Sequence, residues 1–129
     1  MDAPQLTVIV PVYNEAKTVA LLLERVLAVP VTKQVVVVDD GSTDGTREEL
    51  RRFAEAHPDV ELAFHEANRG KGAAIRTGIV RARGRHTIIQ DADLEYDPSD
   101  YVPLLAAAAE HGVRVVYGSR ILGGQPFSY

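Results

Sequence analysis

Two short runs rich in β-branched residues, Leu6-Thr-Val-Ile-Val-Pro-Val12 and Gln34-Val-Val-Val-Val38, constrain this chain most. Neither alternates apolar with polar residues, so neither suits a strand with one face in water. Both fit strands buried on two faces, the pattern of a parallel sheet covered by helices. Between them Val19, Leu22, Leu23, Val26 and Leu27 recur at helical spacing, predicting a helix with one apolar stripe that ends before Pro30. The same reading predicts helices over 46–56 and 72–82 and strands over 60–65, 87–90 and 113–117. Asp97-Pro98 reads as an N-cap followed by a first-turn proline, with the regular part of that helix starting nearer Pro103 and ending at Gly112. Alternating strands and helices imply βαβ units. The expected fold is therefore a three-layer α/β/α, Rossmann-like one with a mainly parallel sheet and its ligand site at the carboxyl ends of the strands.

A chain of 129 residues supports one core rather than two, so residues 1–129 are read as one domain, with 121–129 as an irregular, turn-rich tail that brings no closing element. Hydrophobic residues at 46% and charged residues at 25% are ordinary for a globular protein and argue against disorder. The net charge of −4 provides no overall attraction to nucleic acid, and none is expected as a partner. Without cysteine, thiol catalysis, disulfides and cysteine metal sites are excluded. The opening Met-Asp-Ala-Pro-Gln has no basic or apolar leader pattern, and no apolar run approaches the roughly 18 residues of a membrane span. A cytoplasmic protein, at most peripheral to the membrane, is expected.

Each strand leads into an unusual loop, and the fold rule gathers these loops on one edge of the sheet. After the first strand comes Pro11-Val12-Tyr13-Asn14-Glu15. Asn14 suits a helix cap and Glu15 the positive end of a helix dipole, but Tyr13 could equally support a base or ribose and Glu15 reach a hydroxyl. Next comes Asp39-Asp40-Gly41-Ser42-Thr43-Asp44-Gly45. Turn chemistry accounts for the glycines and for Thr43 or Asp44 as a cap; it does not require two acids after a four-valine strand, and such an acid could accept from a nucleobase. Asn68-Arg-Gly-Lys71-Gly72 opens a helix with a lysine, a candidate anion site, and 69–85 carries six basic residues and no acid, a solvated face or a patch for diphosphate or anionic lipid heads. In Asp91-Ala92-Asp93-Leu-Glu95 the three acids alternate, so an extended segment points them the same way, as oxygen ligands for Mg²⁺ or Mn²⁺. Arg120 follows the last strand and suits a phosphate grip.

Together, Val10-Pro-Val-Tyr-Asn-Glu15, Val38-Asp-Asp-Gly-Ser-Thr-Asp-Gly45, Asn68-Arg-Gly-Lys-Gly72 and Asp91-Ala-Asp-Leu-Glu-Tyr-Asp-Pro98 resemble the family 2 glycosyltransferases of GT-A fold. With Tyr117-Gly-Ser-Arg120 the chain is most similar to the polyprenyl-phosphate (dolichyl-phosphate) mannosyl- and glucosyltransferases, over their N-terminal portion only. The resemblance implies an inverting transferase taking a UDP- or GDP-linked sugar to a lipid phosphate at a membrane surface. It implies that Pro11, Tyr13, Glu15 and Asp40 hold the nucleoside, with Val12, Asn14, Asp39 and Gly41 in the same loops. Asp91 and Ala92 would line the ribose and diphosphate, Asp93 would bind the metal with Asp91 and Glu95, and Lys71 and Arg120 would meet phosphate or sugar. Close relatives often carry glutamine at the Glu95 position. With the acceptor half of the family pattern missing before Tyr129, weak donor binding and little transfer are expected, and a nucleotide-binding or assembly module completed by further sequence or another chain is the rival reading. An exposed sheet edge would allow a homodimer. A Rossmann dehydrogenase is disfavoured because no glycine fingerprint follows the first strand, and a sugar-nucleotide pyrophosphorylase because its glycine-rich first loop is missing.

Overall fold

The computed structural model describes residues 3–92 without a break and, beyond them, residues 98, 102, 103, 106, 115–117, 120 and 121. Strands β1 (Leu6–Val12), β2 (Lys33–Asp39), β3 (Glu61–Phe64), β4 (His86–Ile89), β5 (Val115–Tyr117) and β6 (Arg120–Ile121) form one sheet, in the order β3-β2-β1-β4-β5-β6. β1 lies parallel to β2 and β4, β2 to β3 and β4 to β5, while β6 runs antiparallel to β5. Helices α1 (Val19–Ala28), α2 (Thr46–Ala56) and α3 (Lys71–Arg81) make the connections between the first four strands. This is the expected α/β Rossmann-like arrangement. The strand order reverses between β1 and β4, which opens a crevice at their carboxyl ends.

Period-two alternation distributes the helices over two faces. Leu6, Val8, Val10 and Val12 of β1, with Val35 and Val37 of β2, pack under the α1 stripe of Val19, Leu22, Leu23 and Val26 and under Leu50 and Phe53 of α2. On the opposite face Val36 and Val38 meet Ala74 of α3, and Ile9 and Ile89 meet Ile75. All seven residues of β1 are buried, as a strand covered on both faces must be. At the amino edge of the sheet, buried Gln34 accepts from Thr7 Oγ1 and the Arg83 N–H and donates to Glu61 and to the Arg81 carbonyl, so the end of α3 is closed by side-chain hydrogen bonds.

Several expectations change. Thr18, not Asn14, occupies the N-cap position of α1 and Gly45 that of α2, neither with a side-chain capping bond, although Asp44 Oδ1 does accept the Thr46 N–H at 3.1 Å. Arg120 and Ile121 pair with Tyr117 and Val116, so a short strand begins where the sequence suggests only loop and tail. Residues 102, 103 and 106 are helical, in keeping with a regular helix that starts near Pro103, whereas Asp97 lies outside the described residues. Among the described residues no helix is long and apolar enough to cross a membrane.

Candidate active site

The loop after β1 hangs on the loop after β2. The Asn14 N–H donates to Ser42 Oγ at 2.8 Å, the Thr43 N–H returns a bond to Asn14 Oδ1 at 2.8 Å, and the Glu15 N–H donates to Thr46 Oγ1 at 3.0 Å. Asn14 sits at a φ of 52°, a left-handed conformation that asparagine tolerates better than most residues. The Glu15 carbonyl accepts from the N–H groups of Thr18 and Val19 and so begins α1. Thr18 Oγ1 lies 3.1 Å from Glu15 Oε2 and 3.0 Å from the Ala92 carbonyl, joining this loop to the one after β4.

Asp39 and Asp40, being consecutive at a strand end, face opposite sides of the sheet. Asp39 is fully buried on the α1/α2 side, where its Oδ2 accepts the Ser42 N–H at 3.2 Å and Arg47 Nε at 3.0 Å; its Oδ1 has no partner among the described residues. Arg47 also donates to the His65 carbonyl. Asp40, 3% exposed, faces α3: Oδ1 accepts from His65 Nδ1 at 2.8 Å and from the Arg69 N–H at 2.9 Å, and Oδ2 from the Gly70 N–H at 2.8 Å.

Burial alone would raise the Asp40 carboxyl, but the bonds from His65, Arg69 and Gly70 together outweigh it and hold the group below the ordinary aspartate value of 3.8. The sign follows from linkage. A depressed native value makes the charged form a source of stability that is fully present above the unfolded value and lost as pH falls through the native one. The stability gap between the chain and its Asp40→Asn variant is therefore expected to stay level from neutral pH to about pH 4 and to narrow in more acidic solution. Urea midpoints at stepped pH check this, and a gap unchanged down to about pH 2 would contradict it.

These loops enclose an open cleft of about 430 Å³ at the switch point, within the size range of small-ligand sites. The β1 loop contributes Pro11, Val12, Tyr13 and Glu15; the end of β2 contributes Asp40; the α3 entrance contributes Asn68, Gly70, Lys71 and Ala74; and the end of β4 contributes Asp91 and Ala92. Tyr13 is 46% exposed, so its ring is available to a ligand. Lys71 forms an ion pair with Asp91 across the cleft. Of the residues singled out in the sequence, Pro11, Val12, Tyr13, Glu15, Asp40, Lys71, Asp91 and Ala92 meet here, whereas Asn14, Asp39 and Gly41 do not line the cleft. Asn68, Gly70 and Ala74 also line it. The first two lay inside a recognised motif; Ala74 carried no chemical signal, only small size on a helix facing the sheet.

Among the described residues no cluster of three or more His, Asp or Glu side chains could hold a metal ion. Asp93, Glu95 and the Arg120 side chain lie outside the described residues. Asp91 does fit one requirement, a hard carboxylate oxygen at the cleft, the donor type that Mg²⁺ and Mn²⁺ prefer.

The chain is 35% identical over 96 residues to a dolichyl-phosphate beta-glucosyltransferase of Trichomonas vaginalis, covering 67% of this chain and 28% of that protein. It is 34% identical over 122 residues to a dodecaprenyl-phosphate galacturonate synthase of Rhizobium johnstonii, covering 90% of this chain and 36% of the relative. Among solved structures, the Pyrobaculum calidifontis mannosyltransferase PcManGT in complex with GDP-Man and Mn²⁺ superposes with a TM-score of 0.70 at 38% identity, over 79% of this chain and 31% of that one. This chain thus spans about a third of the length of each. The Glycosyl transferase family 2 model matches residues 7–128, nearly the whole chain, and the chain belongs to that family.

Proposed function

We propose that this chain carries the donor half of an inverting, metal-dependent glycosyltransferase site, binding a UDP- or GDP-linked sugar for transfer to a polyprenyl phosphate at the cytoplasmic face of a membrane. One observation carries the reading: an aromatic ring, an ammonium and a carboxylate from three separate loops meet in the switch-point cleft. Pro11, Val12, Tyr13 and Glu15 wall the nucleoside, with Tyr13 offering a ring face and Glu15 an acceptor for a hydroxyl. Asp91 and Ala92 line the ribose and diphosphate. Mg²⁺ or Mn²⁺ would be held by Asp91 and Asp93 with Glu95 beside them, and when bound it supplies charge stabilisation for the departing diphosphate. Lys71 and Arg120 add fixed positive charge where negative charge builds on the leaving group. A polyprenyl phosphate is anionic at neutral pH and attacks without a strong general base. The similarity to a dolichyl-phosphate beta-glucosyltransferase and a dodecaprenyl-phosphate galacturonate synthase, and to PcManGT in its complex with GDP-Man and Mn²⁺, supports this reading.

Calorimetry with UDP, GDP and their sugars, with and without Mn²⁺ or Mg²⁺, tests it. Asp91→Asn is expected to weaken metal-dependent binding by about tenfold or more. Absence of any metal-dependent heat from the unaltered chain would reject the reading. The threefold greater length of the relatives favours a second reading, a nucleotide-binding module whose transfer step needs further sequence or a partner chain. Robust sugar transfer by these 129 residues alone would reject that one.

A further inference from the structure

Asp40 touches more protein than a ligand-reading carboxylate needs to. Three of its roughly four acceptor positions are taken by His65 Nδ1 and the N–H groups of Arg69 and Gly70. The carboxylate can only accept, so His65 Nδ1 carries the hydrogen; in the neutral ring Nε2 then accepts from Thr77 Oγ1, 2.9 Å away. His65 is itself 7% exposed, too enclosed to reach a ligand. Thr77 lies on α3 nearly two turns beyond Lys71, while Arg69 and Gly70 form the entrance to the same helix. The chain of bonds thus holds α3 at two points from the ends of β2 and β3. Gly70 has a φ of 98° where the loop turns into the helix, and Asp40 ties down the N–H of that same residue.

We propose that Asp40, His65 and Thr77 form a positioning relay that fixes the α3 entrance, and with it Lys71, at the phosphate end of the cleft. Asp40 acts here through the loop, and its remaining acceptor position is left to the cleft that it also lines. The inference rests on the donor-site reading for the role of Lys71, but not for the relay itself. Its signature is a loss that falls more on recognition of the second phosphate than on recognition of the nucleoside.

Amide hydrogen exchange at Arg69 and Gly70, with calorimetric titration of UDP, UMP, GDP and GMP, tests the relay in the unaltered chain, His65→Leu, His65→Asn and Thr77→Val. His65→Leu is expected to speed exchange at both amides and to weaken diphosphate binding about tenfold, with monophosphate binding falling less than about threefold. His65→Asn keeps a side-chain N–H near the Nδ1 position and restores most of both; Thr77→Val, nearly isosteric, falls between. Folded His65→Leu and Thr77→Val chains with native exchange overturn the relay, whatever they bind. Equal loss of mono- and diphosphate binding overturns it too, because the relay is held to place Lys71 at the second phosphate. Failure of the unaltered chain to bind any nucleotide rejects the donor-site reading, and the exchange results then decide the relay alone: faster exchange supports it and unchanged exchange overturns it.

Discussion

Asp40→Ala is expected to destabilise the chain by about 3–5 kcal/mol, because one deletion strips partners from a buried imidazole N–H and two backbone N–H groups. Each bond to a charged acceptor is worth about 1.5–3 kcal/mol, but the sum is smaller because Arg69 is exposed and its N–H can turn to water. Against a total of about 5–15 kcal/mol for a domain, the variant should unfold at far lower urea than the unaltered chain. Asp40→Asn keeps one acceptor oxygen but turns an N–H toward a donor, so it should fall between the two. Urea denaturation followed by circular dichroism gives the ordering. A loss under about 1 kcal/mol for Asp40→Ala would mean that the loop bonds are replaced at little cost, and it would remove the physical basis of the relay.

The contrast between Asp40 and β1 explains what was legible in the sequence. β1, α1, β2 and α2 follow from burial patterns within short windows: unbroken β-branched runs, then Val19, Leu22, Leu23 and Val26 on one stripe. The loops that carry the cleft were also visible, because acids and glycines at strand ends are not needed for packing. Their partners were not. Asn14 joins residues 28 and 29 positions away, and Asp40 reaches 25 to 30 positions on, to His65, Arg69 and Gly70. Such pairings depend on how β1, β2 and β3 lie side by side, which no local pattern states. Thus Asn14 reads as a cap in the sequence and is a loop tie in the fold, while the Asp39-Asp40 pair reads as one site and is split by the pleat into two. β6 escaped notice because two residues carry no periodicity.

Gly41→Ala carries the second large effect, for a reason that lies in the same loops. Gly41 has a φ of 78°, and a Cβ there would lie 2.5 Å from both the Ala67 carbonyl carbon and the Asn68 nitrogen. Both are backbone atoms, so no rotamer change can relieve the clash. The left-handed conformation costs an alanine about 1–2 kcal/mol, and forcing the 67–68 peptide aside adds about 1–3 kcal/mol. A total loss of about 2–5 kcal/mol is expected. The displaced peptide leads directly to Arg69 and Gly70, whose N–H groups Asp40 holds, so the two substitutions should not add. Once Asp40→Ala has freed the loop, the methyl group of Gly41→Ala finds room and its cost should shrink toward that of the backbone conformation alone. A double-mutant cycle in urea measures this directly. A coupling of about 1 kcal/mol or more, with the double variant more stable than the sum predicts, is the expected result; strict additivity would mean that the loop over Gly41 and the carboxylate of Asp40 are independent, and that the α3 entrance is held by something other than their shared grip.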